Sequence, residues 1–349
     1  MKKILRDNKG SISTLVVISV LLYSIVLTTA YMQASGMRKM QIQSQILAKA
    51  EYEKPLEHLD EIRDEINGGS SQKNTKKIYP DGTVWIPEGF KIADDSASTI
   101  QGGVVIEDKD GNQFVWIPVD TIADYKRTAY KGEDITSTFS ETLPEDEKNS
   151  VTTYKGFYIG RYEAGDKEST AAKSLRGSND VTKTVTIKKG QAPYNFVTKA
   201  QAISLAEDFG VKQGYTAKTK LVSSYAWDTT IAFIQQANED YKDYGSSSPQ
   251  GNYKDTTFNY TDIKENEKQK ASGTSTLVPT GQTESECNIF DLGGNVWELT
   301  TESSSNTTNP YTQRGGGYKN NYSAYPAGLR RNSSDSAISA IGFRIALFM

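Results

Sequence analysis

Cysteine and histidine are almost missing from this chain of 349 residues, which has one of each, Cys287 and His58. A single Cys excludes an intrachain disulfide and any Cys-rich metal centre. A single His excludes a three-His metal site and allows a Ser-His-Asp triad only if His58 takes part. An excess of one charge is lacking too. Lys plus Arg is 40 and Asp plus Glu is 43, and the formal net charge of -3 argues against a nucleic-acid-binding surface at the level of the whole chain. Apolar residues at 36% and charged residues at 24% suffice for a real core and are too balanced for a disordered chain. What is plentiful is Tyr, with 20 residues against 11 Phe and 4 Trp. Tyr is an amphipathic contact residue favoured on binding surfaces.

The longest charge-free stretch lies near the N-terminus, from Gly10 to Met37, with an apolar centre from Leu15 to Leu27. As a helix it would be roughly 42 Å long at ~1.5 Å per residue, enough to cross a bilayer of ~30 Å. Lys2, Lys3, Arg6 and Lys9 precede it, which holds the N-terminus inside and sends the rest outward. A cleaved secretory signal is the alternative, because Thr28, Thr29 and Ala30 put small residues where a signal peptidase acts. The segment also resembles the N-terminal helix of type IV pilin-like proteins, through Lys9 and Gly10 ahead of Ser11 and the apolar run. It departs from them at Leu15, where that family usually has Glu. After the anchor, Ile42 and Ile46 and then Leu56, Leu59, Ile62 and Ile66 keep a helical stripe, with Pro55 as a kink or restart. Asn67, Gly68 and Gly69 read as a C-cap, followed by a polar linker. His58 reads as an exposed helical residue between Glu57 and Asp60 rather than a catalytic one. Three parts are expected: an anchor or signal (1–37), a helical stalk and linker (38–78) and a head (79–349).

In the head, Val84, Trp85, Ile86 and Pro87 return as Val115, Trp116, Ile117 and Pro118, a shared strand-end pattern rather than a repeat. The runs 104–108 and 113–117 flank an Asp-Gly turn and predict a hairpin. Phe157 to Glu163 predicts a strand. Thr198 to Phe209 predicts a helix capped by Thr198 and stopped by Gly210; Ser224 to Ala237 predicts a second, with Trp227, Ile231 and Ile234 inward. The stretch 239–273 is polar and Tyr-rich and predicts a long surface loop.

Three C-terminal strings follow in order: Asn288 to Leu299 with Gly293, Gly294 and Asn295 at its centre, then Arg314 to Tyr318 with three Gly, then Ile341 to Arg344. This triple resembles the formylglycine-generating (sulfatase-modifying factor) family, a large variant of the C-type lectin fold, over about Trp85 to Met349. The resemblance implies an α+β, C-type lectin-like head with much irregular structure, carried on an N-terminal transmembrane or stalk helix. It also implies structural calcium at the Gly-rich turn. Carried over by position, the ligands would be the side chains of Asp291 and Glu298 and the carbonyls of Gly294 and Val296. From the residues alone, two carboxylates around such a turn suit a hard cation, and equally a solvated turn with Glu298 paired to an Arg.

The catalytic residues do not carry over. The family's two copper-binding Cys fall here on Asn320 and Tyr325, neither of which can be a thiolate ligand. Related iron-dependent enzymes need a His cluster, and His58 stands alone on the stalk. Both known catalytic sets are missing, so no enzymatic activity is expected. Glu163 and Asp228 are catalytic candidates by charge alone.

What remains is a surface. Lys319 to Ala340 is rich in Tyr, Asn, Ser and Gly, the composition of antibody-like contact loops. It resembles the variable segment of C-type lectin-fold proteins diversified by retroelements, which also ends before an Ile-Gly-Phe-Arg-like strand. The expected ligand-binding residues are Tyr318, Asn320, Asn321, Tyr322, Tyr325, Asn332 and Asp335. The expected partner is an extracellular protein or glycan, with the membrane engaged through the N-terminal helix and no nucleic acid. Two other classes stay open, a structural pilus or cell-envelope subunit and an enzyme of unlocated chemistry on the same fold.

Overall fold

The computed structural model describes residues 74–247 and 249–349. The expected anchor (1–37), most of the stalk and linker (38–73) and His58 lie outside the described residues. Among those described, no helix is long and apolar enough to cross a membrane.

Short strands dominate and helices are few. Two main sheets carry the fold. The first orders six strands as Lys218–Leu221, Ile345–Phe348, Gly156–Gly160, Gln113–Pro118, Val105–Asp108 and Phe90–Ile92, all antiparallel. The expected hairpin supplies its fourth and fifth strands, with Val105 opposite Val115 across the 109–112 turn. This sheet is buried on both faces. Phe114, Trp116, Phe157 and Ile159 have no exposed surface, and Trp116 meets Tyr158 edge-on at 5.0 Å. The earlier Val-Trp-Ile copy lies elsewhere, in the hairpin Thr75–Tyr79 with Gly82–Ile86. The two copies therefore share a strand-end pattern and no common sheet. Thr75–Tyr79 also converts the end of the expected linker into strand.

The second sheet orders Arg331–Ser333, Tyr311–Arg314, Trp297–Ser304 and Ile341–Phe343, with the short strand Phe139–Ser140 pairing at the far end of Trp297–Ser304. Ile341–Phe343 runs parallel to Trp297–Ser304. One residue later the chain enters the first sheet as Ile345–Phe348. Arg344 thus stands where the last strand passes from one sheet to the other.

Among the described residues four α-helices complete the head: α1 (Glu145–Tyr154), α2 (Lys167–Ala171), α3 (Lys199–Gln213) and α4 (Ser224–Ala237). α3 starts as expected, in a capping box of Thr198 and Gln201. It does not stop at Gly210. Gly210 is an interior residue because a Cβ there would sit 2.7 Å from Thr219 Oγ1, and the real cap is Gly214 with positive φ. α4 spans the range expected and buries Trp227, Ile231 and Ile234. The strand expected over 157–163 ends at Gly160, and Arg161 to Glu163 turn inward as buried side chains. The stretch 239–273 corrects the reading of a plain surface loop. It holds a hairpin, Phe258–Thr261 with Glu267–Lys270, and Tyr244 and Tyr253 are buried.

Candidate functional site

The three C-terminal motifs build one framework. Arg344, fully buried, forks onto Glu298 with Nε–Oε2 at 2.9 Å and Nη2–Oε1 at 2.6 Å. Its remaining N–H groups go to the carbonyls of Gly160 in the first sheet and Phe290 ahead of the second, both at 2.9 Å. One guanidinium therefore ties both sheets together. Two further carboxylates lie beside it. Asp291 accepts the Gly281 amide at 2.5 Å. Glu163 accepts the Val296 amide at 2.9 Å and Asn295 Nδ2 at 2.7 Å. Burial, and then the charges of Asp291 and Glu298, push Glu163 well above the usual carboxylate range. Burial raises Asp291 and Glu298 as well, and Arg344 opposes the rise in both.

These contacts test the expected calcium ligands Asp291, Gly294, Val296 and Glu298. Both oxygens of Glu298 face the guanidinium, and Asp291 is held by an amide and by the Thr283 hydroxyl at 3.4 Å. Among the described residues no group of three or more His, Cys, Asp or Glu side chains is arranged to hold a metal. As arranged, both Glu298 oxygens serve a guanidinium, and a hard cation there would have to displace Arg344 from Glu298. Gly294 is also required by the turn itself. It has φ +83 and meets Asn252 so closely that a Cβ would lie 2.6 Å from the Asn252 amide nitrogen.

The segment between the second and third motifs hangs from a second buried ionic network. Arg314 and Arg330 bracket it, and both pair with Asp228 of α4. Arg330 also forks onto Glu302, with Nε 2.9 Å from each oxygen, and reaches Glu133 at 2.9 Å. Arg127 reaches Glu302 at 2.9 Å. Burial alone would raise the Glu302 pKa, but the Arg314 and Arg330 charges hold it below its ordinary value. Asp228 is thus a structural counter-ion, and Glu163 is bound by backbone and amide donors.

Between those brackets the chain makes a tight excursion. Gly316 has φ +72, and a Cβ there would lie 2.3 Å from the Tyr325 carbonyl, so the two ends of the loop meet at a residue without a side chain. Trp297 is the floor, 3% exposed. Its Nε1 donates to Asn320 Oδ1 at 2.8 Å, and its ring meets the Tyr325 ring edge-on at 5.6 Å. The Arg331 guanidinium lies 5.6 Å from the Trp297 ring and 5.2 Å from the Tyr325 ring. Asn320 and Tyr325, the two positions where the resemblance places a Cys pair, therefore converge on one indole.

The other expected contact residues sit around this centre to different degrees. Tyr318 is 7% exposed and belongs to the floor, with its amide on the Asn295 carbonyl at 2.8 Å. Tyr322 is half-buried. It stacks edge-on to Tyr253 at 6.3 Å and donates its amide to Asp255 at 3.2 Å. Asn321 is exposed, and its carbonyl accepts the amides of Ala324 and Tyr325. Asn332 accepts from Ser304 at 2.8 Å. Asp335 is exposed and accepts the Lys199 amide at the start of α3 at 3.2 Å. Lys254 and Asp255 brace the turn from the 239–273 stretch, so that stretch borders the face.

Arg331 and Trp297 were missed as members of this face. Arg331 opens the short strand Arg331–Ser333 directly after the buried Arg330, and the two adjacent side chains take opposite sides, one buried and one exposed. The stacking of Trp297 beneath Tyr325 was not legible, because nothing local brings the two together. Cys287, half-buried, has its thiol pushed up to about 12 by burial and then by the Glu286 charge, so it is no ready thiolate.

A mixed head of two main sheets, tied at an Arg-Glu fork and carrying a loop hung between two buried Arg, is consistent with the formylglycine-generating type that the three motifs resemble. The chain belongs to that family, since residues 66–348 match the sulfatase-modifying factor enzyme 1-like domain. No curated protein matches the chain by sequence. Similar solved structures include PvdO from Pseudomonas aeruginosa, with 15% identity and TM-score 0.39 over 70% of this chain and 98% of that one. Variable protein 1 of Treponema denticola has 12% identity and TM-score 0.38 over 68% and 96%. CarF has 14% identity and TM-score 0.35 over 61% and 95%.

Proposed function

We propose that this chain is a ligand-binding member of its family, displayed outside the cell on an N-terminal membrane helix, and not an enzyme. The contact surface is the Tyr/Asn/Ser-rich face around Trp297, with Asn320, Asn321, Tyr322, Tyr325, Asn332 and Asp335 over a floor that includes Tyr318. The ligand is an extracellular protein or glycan. The observation that carries the reading is the state of Asn320 and Tyr325. At the two positions where the family's resemblance calls for redox Cys, these residues are locked to an indole. That gives rigid aromatic area with amide and hydroxyl groups at its edge and no oxidisable pair. Function is read from this site and not from the fold, which hosts more than one chemistry.

Diversification of 319–340 by a retroelement is the sharper form of the proposal. Sequencing the 3′ end of the gene across a population tests it. Substitutions confined to adenine-bearing codons, with an invariant near-copy nearby, support it, and an invariant segment without a template removes it. Binding itself is tested by probing a glycan array and an extracellular-protein array with the full-length chain and with the Tyr322→Ala/Tyr325→Ala variant. A ligand that binds the first and not the second, both being folded, supports the reading. Equal binding by both reassigns the face.

A further inference from the structure

A second polar recess, lined by none of the contact-face residues, has a cavity volume of about 720 Å³. It lies between the chain from Thr136 to Glu147, Lys220, and the end of strand Trp297–Ser304. Its two cations are already engaged. Arg127 donates to Glu302 and to the Ile135 and Phe139 carbonyls. Lys220 holds both oxygens of Asp146, at 2.9 and 3.1 Å. Its two carboxylates are less well served. Glu141 accepts the Ser224 amide at 2.8 Å and the Thr301 hydroxyl, and no ion pair reaches it among the described residues. Glu147 has no exposed surface. Its Oε2 takes the Tyr125 and Ser223 hydroxyls at 2.7 Å. Its Oε1 has no hydrogen-bond partner and faces the Lys220 ammonium at 3.6 Å. Lys199 stands behind the wall, but its ammonium is bound to the Thr301 and Glu302 carbonyls at 2.8 Å. Burial, together with the Glu302 and Glu147 charges, pushes Glu141 up to about 7. A half-buried carboxylate without an ion pair gains from an incoming cation.

The walls say which cation. Ser140, Thr142 and Ser303 line the recess with hydroxyls that make no hydrogen bond among the described residues. Pro144 is the one apolar residue in the lining, and no aromatic ring joins it. A lysine side chain would bring a long apolar stem that wants an apolar wall. An ammonium set directly on a ring of hydroxyls would meet hydroxyl partners instead. We propose that the recess is a second binding site, independent of the Tyr/Asn face, for an amino sugar with a free ammonium group. Glu141 receives the ammonium, and Ser140, Thr142 and Ser303 receive the ring hydroxyls.

The test is equilibrium binding of the full-length chain to a fluorescently labelled glucosamine tetramer and to its fully N-acetylated counterpart, with Nα-acetyl-lysine amide as competitor. The free-amine tetramer should bind at least about tenfold tighter than the acetylated one, and the lysine derivative should not displace it. Glu141→Gln should remove most of that preference. Thr142→Lys changes an exposed residue at the lip and places an ammonium of the protein's own there. It should abolish binding even if Glu141→Gln proves poorly folded. Tyr322→Ala/Tyr325→Ala should bind as the native chain does. Equal binding of the two tetramers, no binding of either, or displacement by the lysine derivative overturns the proposal. So does loss of binding in the Tyr variant with retention in Thr142→Lys.

Discussion

The framework formed by 288–299 with 341–345 and the contact face over 318–335 lie side by side and are stabilised in opposite ways. In the framework nearly every polar group has a partner and nearly every side chain is buried. Removing one group there leaves another stranded. In the face the backbone is anchored at its two ends, and Asn320, Tyr325 and Arg331 between and beside them lean on a single indole. Apart from Arg330, which belongs to the buried ionic network, a residue there can be changed without orphaning a charge. The difference teaches how one fold can separate its shape-holding contacts from an exposed face. The costly interactions lie in the buried framework and ionic network, and Arg314 and Arg330 tie the base of the loop to them.

The comparison breaks most violently at Arg344. Arg344→Met leaves Glu298 buried without its counter-ion beside Asp291 and Glu163, and should cost about 3–5 kcal/mol. On a head of marginal stability this reads as loss of the cooperative thermal transition, or of soluble protein. Chelation provides the complementary experiment. If the guanidinium is the resident cation, EDTA leaves the melting temperature unchanged. A drop reversed by calcium would show that Asp291 and Glu298 turn to a metal.

Asp228→Asn comes next. It removes the one carboxylate shared by Arg314 and Arg330, although Glu302 and Glu133 still hold Arg330. A destabilisation of about 3 kcal/mol is expected, together with raised proteolytic sensitivity between residues 315 and 330. If stability falls and that segment stays protected, the Arg brackets do not hold the loop.

A smaller effect sits just ahead of the framework, at a buried carboxylate with one oxygen unpartnered. Glu286 is buried, accepts the Tyr244 hydroxyl at 3.2 Å, and has its Oε1 without a partner. Burial, with the Asp291 and Glu284 charges adding to it, pushes it up to about 8. Because the folded value lies above the ordinary 4.5, Glu286 contributes fully below about pH 4.5. That contribution fades as pH rises towards 8, because the unfolded chain releases the proton first. Even half of the shift amounts to on the order of 2 kcal/mol. The melting temperature should therefore fall between pH 5 and pH 8, and Glu286→Gln should flatten the fall. An unchanged slope in that variant would assign the pH dependence to Glu163, Asp291 and Glu298.

Much of the framework was legible because its signals are local. The α4 pattern is periodic, and the three Gly-containing motifs occur in order. What was not legible depends on distant neighbours. Gly210 reads as a helix stop, yet it is a contact with Thr219 on a separate strand. Tyr244 and Tyr253 read as loop surface, yet the Tyr253 hydroxyl donates to the Gly315 carbonyl at 2.8 Å, 62 residues away. The Glu141 recess could not be read at all, since its partners Ser224 and Thr301 lie 83 and 160 residues along the chain. The candidate face was legible in composition. Its depth was not: Tyr318 went into the floor and Arg331, unremarked, came to the top.

The smallest expected effect on stability is the most informative. Tyr325→Ala removes one edge-on ring from Trp297 and the stacking surface of Arg331, about 1 kcal/mol beyond the lost burial. Tyr322→Ala removes a similar contact with Tyr253. Neither strands a charge, and neither touches Asp228, Glu298 or Arg344, so the double variant should keep a cooperative transition only a few degrees lower. Its ligand binding should nevertheless be lost, because rigid aromatic side chains at the centre of a contact surface carry most of its energy. Melting and binding measured on the same sample decide the matter. Small loss of stability with complete loss of binding means that the face is a contact surface carried by a framework that does not depend on it. A large loss of stability would mean that the indole stack is itself framework, and the contact residues would then have to be sought on the exposed rim at Asn321 and Asp335.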